Sequence, residues 1–240
     1  MPQKLWARLI KEADIRFISH LDLLGTVEKA LRRARIPIAL SQGYNPHPKI
    51  AFAAALPVGV TSSGEYIEFL LQEPLLPNSF CQELNKQLPD GLAIIEAKEV
   101  NRKLPALMAV VNLAVYQVAF IYDNKTQVGK LTAAWQDFFA QAQIIVQRKT
   151  KKGVRTFDLM PLLWQQQLVE TAAGVAQINL RLKLNPEGSV RPEEVIQVFK
   201  DATGWEGKIS SIHRQGLYIL EEGKIYSPLA WAERQLIFEK

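Results

Sequence analysis

The chain of 240 residues carries a single cysteine, Cys81. Without a second thiol an intrachain disulfide is excluded, as is any iron–sulfur or zinc site built from several thiolates. Cys81 is expected to be a small buried apolar residue. Long apolar runs are missing too: no stretch approaches the roughly 20 residues of a membrane span, and the N-terminal MPQKLWARLIKEADIRF lacks the apolar core of a signal peptide. No membrane association and a reducing, cytoplasmic setting are therefore expected. Metal-ligand spacing is absent as well. His20 and Asp22 lie two apart and point in different directions at a helix start, so no metal and no cofactor is expected.

What is present suits a globular chain. Apolar residues make up 48%, ample for a core, and the length fits one large α/β domain or two of ordinary size. Lys and Arg number 29 against 24 Asp and Glu, a formal charge of +5. That mild excess permits a polyanionic partner without requiring one.

Residues 4–11 alternate as a strand, with Leu5, Ala7 and Leu9 set against Lys4, Arg8 and Lys11. From Ser19 the apolar positions Leu21, Leu24, Val27, Leu31 and Ala34 recur at helical spacing, and Ser19 with Asp22 resembles a capping box. The helix should stop near Arg35, because Pro37 disfavours helical geometry at Ile36. Extended stretches follow at 38–40 and 50–56, turn chemistry at PVGVTSSGE, and a strand at 66–71. A second helix over 78–88, capped by Asn78, and a strand over 92–100 complete the order β-α-β-β-α-β.

The second half reads in the same order: a strand at 112–122, a helix at 127–142, strands at 143–148, 154–159 and 175–184, a helix at 191–202 and a final strand or hairpin at 209–220. The expected fold is α+β, two tandem ferredoxin-like domains over 1–104 and 105–240. The duplication rests on element order, since the halves share no convincing identity.

Between 41 and 49 the chain reads SQGYNPHPK. Gly43 frees the backbone while Pro46 and Pro48 hold Asn45 and His47 extended, so Tyr44, Asn45, His47 and Lys49 should project from a stiffened loop. Upstream lies a basic helix end with Lys29, Arg32, Arg33 and Arg35. A second basic run, Arg148, Lys149, Lys151, Lys152 and Arg155, has no acidic residue between Gln147 and Phe157. If Gly153 lies in a turn, this run is a basic hairpin tip able to track a phosphate backbone. Each cation also has a plain reading as a solvated face.

Residues 17–66, FISHLDLLGTVEKALRRARIPIALSQGYNPHPKIAFAAALPVGVTSSGEY, resemble the signature of the radical SAM-linked family of uncharacterised bacterial proteins. RTFDLMPLL at 155–163 resembles that family's second block, so the resemblance extends over most of the chain. The family pattern has Arg and Phe where this chain has Lys29 and Tyr44, exchanges that keep charge and aromaticity. Members occur alone or as the C-terminal part of proteins whose N-terminal part is a B12-binding radical SAM enzyme. The resemblance therefore implies an accessory or substrate-binding partner of a separate B12-binding radical SAM protein, because one cysteine cannot hold a three-cysteine cluster.

The expected function is non-catalytic RNA binding or substrate binding in association with such an enzyme. Contacts would come from Lys29, Arg32, Arg33, Tyr44, Asn45, His47, Lys49 and the 148–155 segment. The alternative is a metal-independent endoribonuclease, similar to CRISPR RNA-processing proteins with paired ferredoxin-like folds. There His20 or His47 would be the base and Tyr44 or Lys49 the electrostatic aid. No second, matched acid accompanies either histidine.

Overall fold

The alternation at 4–11 becomes the central strand β1 (Gln3–Lys11) in a computed structural model that describes residues 2–122, 129–150, 153–185 and 188–238. After it come α1 (His20–Arg33), β2 (Ile50–Phe52), β3 (Val60–Leu71), α2 (Pro77–Asn85), β4 (Leu92–Glu99) and the short α3 (Leu107–Val110). β1 pairs antiparallel with β3 on one side and β4 on the other, and β2 pairs antiparallel with β3, giving the order β2-β3-β1-β4. Leu5, Ala7 and Leu9 face Val27 and Leu31 of α1 and Phe80 and Leu84 of α2 in one buried cluster. Fully burying each such large side chain is worth about 1.5–3 kcal/mol. Cys81 is half-buried at the margin of this cluster.

The other face of β1 is covered too. Lys4 and Trp6 are buried, and Trp6 stacks at 6.4 Å on Trp231 of the C-terminal helix α6 (Pro228–Phe238), an element beyond the sequence expectation. Glu68 accepts from Trp6 Nε1 at 2.8 Å and the Leu107 N–H at 3.1 Å, and pairs with Lys4 at 3.2 Å. The first unit's sheet therefore has no open face at β1.

α1 is closed at both ends by recognisable chemistry. The Ser19 Oγ accepts the Asp22 N–H at 3.1 Å while Asp22 accepts the Ser19 N–H, the box expected from the sequence. At the C-terminus the Ile36 N–H reaches the Leu31 carbonyl and the Arg35 N–H the Arg32 carbonyl, with Arg35 at φ 52°. This is a Schellman closure with arginine in the left-handed position usually given to glycine. α2 differs from expectation: Leu76 is its N-cap and Pro77 its first residue, so Asn78 lies inside the helix.

The second unit contains β5 (Leu113–Tyr122), α4 (Lys130–Phe139), β6 (Ile145–Thr150), β7 (Gly153–Asp158), β8 (Leu163–Ala172), β9 (Val175–Asn185), β10 (Gly188–Ser189) and α5 (Pro192–Thr203). β8 and β5 flank β9, both antiparallel to it, while β6 and β7 form a separate two-stranded hairpin. β8 is missing from the sequence expectation, which placed the hairpin strands in the sheet. Trp135, Phe138, Phe139 and Phe199 form the aromatic core under this sheet.

β11 (Gly207–Glu221) contributes to both units, and its last part pairs with β12 (Lys224–Tyr226). By its contacts the chain divides into residues up to Asn112 plus those from Arg214 on, and residues Leu113–His213. The sequence expectation of one cut at 104/105 has no place for the return of the C-terminal segment to the first unit. In that unit β11 approaches β3 so closely that a Cβ on Gly64 would lie 2.9 Å from the Gly216 Cα.

Replacing Ser19 with Ala should lower stability by about 1 kcal/mol in urea titration, the usual worth of an N-cap. Asp22 is held below its ordinary 3.8 by hydrogen bonds from the Ser19 side chain and backbone. Its contribution is present above that value and is lost as pH falls through the depressed folded value.

Candidate nucleic-acid interface

The SQGYNPHPK segment is a loop pinched at its neck. The Ser41 N–H donates to the His47 carbonyl at 2.8 Å and the His47 N–H returns to Ser41 Oγ at 2.9 Å. Gly43 at φ 129° turns the tip, a conformation costly for any residue with a Cβ. Below the neck, Lys49 is clamped from both sides: its N–H meets the Ala39 carbonyl at 2.7 Å and its carbonyl the Leu70 N–H at 3.1 Å. Tyr44, Asn45, His47 and Lys49 are all exposed, Tyr44 completely. A phenol ring held in water by a braced loop is an unusual outcome, since aromatic rings ordinarily bury 150–250 Å².

Lys49 also lines a cavity of about 400 Å³ with Lys4, Glu68 and Arg102. Lys4 donates to the carbonyls of Leu104 at 2.9 Å and Pro105 at 3.2 Å besides pairing with Glu68, so these two charges satisfy each other and their neighbours. Lys49 and Arg102 have no ion-pair partner among the described residues. The cavity rim therefore carries net positive charge.

The C-terminus of α1 lies at this same end of the first unit, because the chain passes from α1 through Ile38, bridged to Leu71, directly to the loop. Lys29 and Arg32 are exposed there, whereas Arg33 donates to the Gln87 carbonyl at 2.5 Å. Basic residues in a last turn also suit the helix dipole, worth about 0.3–1 kcal/mol each, so part of their role is structural.

His20 sits at the opposite end. It is the first residue of α1, and thirteen residues of helix separate it from Arg33, roughly 20 Å at 1.5 Å per residue. Its ring meets Phe52 edge-on at 5.0 Å and its Nδ1 is buried without a hydrogen-bond partner. Burial lowers its pKa from 6.5; Glu65 opposes that shift and Arg214 reinforces it. The two histidines singled out from the sequence thus do not share a site: Glu65, beside His20, and Leu70, beside the loop, are five strand residues apart, about 17 Å.

Glu65 and Arg214 belong to a buried charged cluster that the sequence reading did not find. Arg214 Nη1 meets Glu65 Oε2 at 2.9 Å with both side chains essentially inaccessible. Ser62 Oγ donates to Glu65 at 2.7 Å, and Arg214 Nη2 donates to the Ala55 carbonyl at 2.9 Å. Lys11, equally buried, donates to the carbonyls of Arg16 at 2.9 Å and Ile18 at 3.2 Å, which fixes the chain entering α1. Burial pushes the Lys11 pKa down, partly offset by Glu65. A signal was available: Lys11 shares strand parity with Leu5, Ala7 and Leu9, and Glu65 with Ile67, Phe69 and Leu71, so both point inward.

In the second unit the basic run forms the expected hairpin, with Arg148 directly opposite Arg155 and Thr150 opposite Gly153. Lys151 and Lys152 lie outside the described residues. Arg148 is not a free contact: it makes a two-pronged ion pair with Glu194 at 2.6 and 2.7 Å and donates to the Ser189 carbonyl. Lys149 is exposed, and Arg155 is exposed beside Gly188. Among the described residues no group of three or more His, Cys, Asp or Glu could hold a metal ion, and no helix is long and apolar enough to cross a membrane.

Comparison with known proteins gives a family and a fold. Residues 4–192 match the family described as "Uncharacterized protein conserved in bacteria (DUF2344)", and the chain belongs to it. No curated protein matches the sequence. Among solved structures, a chain of a Cbf5–Nop10–Gar1 complex is similar with a TM-score of 0.51 at 11% identity, over 88% of this chain and 47% of that one. A chain of the archaeal box H/ACA sRNP Nop10–Cbf5 complex gives 0.48 at 9% identity, over 88% and 46%. An unknown protein from Galdieria sulphuraria gives 0.26 at 12%, over 88% and 99%. The chain spans about half the length of the first two, and the first, at 11% identity, shows likeness of fold alone.

Two stability measurements test the buried cluster. Arg214→Met should cost about 3–5 kcal/mol in chemical denaturation by stranding the Glu65 charge, and Glu65→Gln added to it should recover much of that loss. Because the His20 pKa is lowered on folding, its contribution is whole above 6.5 and falls as pH drops below that value. His20→Gln should flatten this part of the first unit's stability profile.

Proposed function

We propose that this DUF2344 member is a non-catalytic RNA-binding protein whose first unit grips single-stranded RNA at the end bearing the 41–49 loop. The carrying observation is Tyr44, fully exposed on a loop braced at its neck, whose last residue Lys49 lines a cavity with Arg102, neither cation having an ion-pair partner among the described residues. A ring held in water can stack on an unstacked base, and two nearby cations can meet its flanking phosphates. Lys29 and Arg32 extend the positive surface along α1. Of the two histidines of the endoribonuclease alternative only His47 stands at this end, on the loop itself, while His20 lies at the other end of α1. His47 therefore has no second histidine beside it to serve as the matched acid, which favours binding.

Both units are read here as variants of the ferredoxin-like plan. What supports this is strand order: β2-β3-β1-β4 in the first unit, and in the second β8-β9-β5 with β11 next, once the β6–β7 hairpin is set aside as an insertion. The partnership with a separate radical SAM protein is a second reading. It is favoured by Phe17, Leu21 and Val58, large exposed apolar residues on segments tied together by the Gly59 N–H donated to the Arg16 carbonyl. Charge substitutions at Phe17 and Val58 should abolish co-purification with such an enzyme and leave RNA affinity unchanged.

Fluorescence anisotropy with labelled single-stranded RNA tests the main reading. Tyr44→Ala should weaken binding about tenfold, in line with one lost base stack. Lys49→Ala with Arg102→Ala should reduce the slope of log affinity against log salt by about 1.4, two phosphates at ~0.7 each. No binding at low salt would end the proposal.

A further inference from the structure

We infer that the second unit carries its own base-reading surface for single-stranded RNA, on the face of its sheet turned away from α4 and α5. This rests on the RNA-binding reading and adds to it a site remote in sequence from the 41–49 loop. Along β5 from Ala114, along the middle of β8 and along β9, alternate residues divide between two faces. Ala114, Val118, Phe120, Leu168, Ile178 and Leu180 are buried with the helices, and their neighbours form the other face.

The register sets that second face in cross-strand rows. Gln167, Asn179 and Gln117 stand side by side in one; Gln165, Arg181 and Val115 form the next, and Val169, Gln177 and Ala119 the one beyond. Neighbours within a row are about 4.8 Å apart and successive rows about 6.8 Å apart. That spacing is twice the ~3.4 Å rise of a stacked strand, which suits bases that have been splayed apart.

The chemistry of the rows is specific. Five of these nine residues are amides, which present a donor and an acceptor together and pair with base edges in the way bidentate Asn and Gln contacts do. Gln177 Nε2 donates to Asn179 Oδ1 at 3.1 Å, so the Asn179 amide is pre-oriented with its NH₂ left for a ligand. Arg181 lies over the Trp164 ring at 5.4 Å, a flat cationic platform at the edge of the amide rows. Arg181 and Lys183 are the only charges on these β5 and β9 positions, so the face complements a polyanion. Glu170 does not oppose them: its carboxylate is turned to α4, accepting from Thr132 and Tyr122.

The test separates base reading from phosphate holding, using the full chain and oligonucleotides of each single base. Gln117→Ala with Asn179→Ala, at partly exposed positions whose loss should leave folding intact, is expected to erase about a tenfold preference among bases. The salt slope should stay unchanged, and Tyr44→Ala should leave the preference in place. Photocrosslinking of a 4-thiouridine oligonucleotide should mark β8 and β9. RNA binding whose preference and crosslinks ignore the double variant would overturn this inference and leave the first unit's role standing. Absence of any RNA binding would overturn both. Capture of a protein on this face, lost in the double variant without any effect on RNA, would also overturn it.

Discussion

The first unit depends on one buried ion pair. Arg214 is the residue at which the chain returns to that unit after the second, and its guanidinium closes on Glu65 in the strand next to β1. Two charges removed from water cost several kcal/mol each unless fully satisfied, and these are satisfied: Ser62 donates to the carboxylate, and the Ala55 carbonyl takes the other side of the guanidinium. The pair does not need to be a net gain to matter. Its effect is on specificity, since any register of β11 that leaves either charge alone is heavily penalised. Gly64 makes the same demand sterically, because a Cβ there would meet the backbone of Gln215 and Gly216 in β11 at 2.9–3.0 Å.

The strands of the two units are covered differently. In the first unit α3 and α6 cover the face that α1 and α2 leave free, with Trp231 on Trp6 and Glu68 gathering Lys4, Trp6 and Leu107. A sheet covered on both faces at β1 is left open to a ligand toward β2, where the cavity lined by Lys49, Ala51, Glu68 and Leu70 lies, so binding there uses that edge and its loop. The braced neck of this 41–49 loop lowers the entropy lost when Tyr44 is immobilised against a partner. The second unit keeps one face uncovered by its own helices, and that face is amide-rich and cationic where a core face would be apolar.

The sequence was most readable where one physical rule acted alone. The Ser19 box, the period of α1 and the alternation of β5 and β9 all came through, since local hydrogen bonding or strict alternation sets them. β8 did not, because Gln165, Gln166 and Gln167 occupy both faces and erase the contrast that marks a strand; Gln166 faces inward only because it accepts the Trp135 indole N–H. α6 was missed for a related reason: its apolar residues surround it rather than forming one stripe, as suits a helix lying on Trp6. Arg148 looked free for lack of nearby acids in sequence, but Glu194, 46 residues on, supplies both oxygens.

The buried cluster bears on how the conspicuous histidine is to be understood. A histidine followed by Asp22 in a helix start invites a catalytic role, yet the ring stands against Phe52 with Nδ1 shut away from partners, and burial lowers its pKa. A general base must reach its proton within hydrogen-bond distance, and Nδ1 is buried out of that reach. Lys11 holds the Arg16 and Ile18 carbonyls just before the helix, so His20 is delivered to one place by a buried lysine rather than by an approach from solvent. The SHLD segment is therefore the brace that sets the start of α1. At the other end of that helix Lys29 and Arg32 stand exposed, where the fold turns outward.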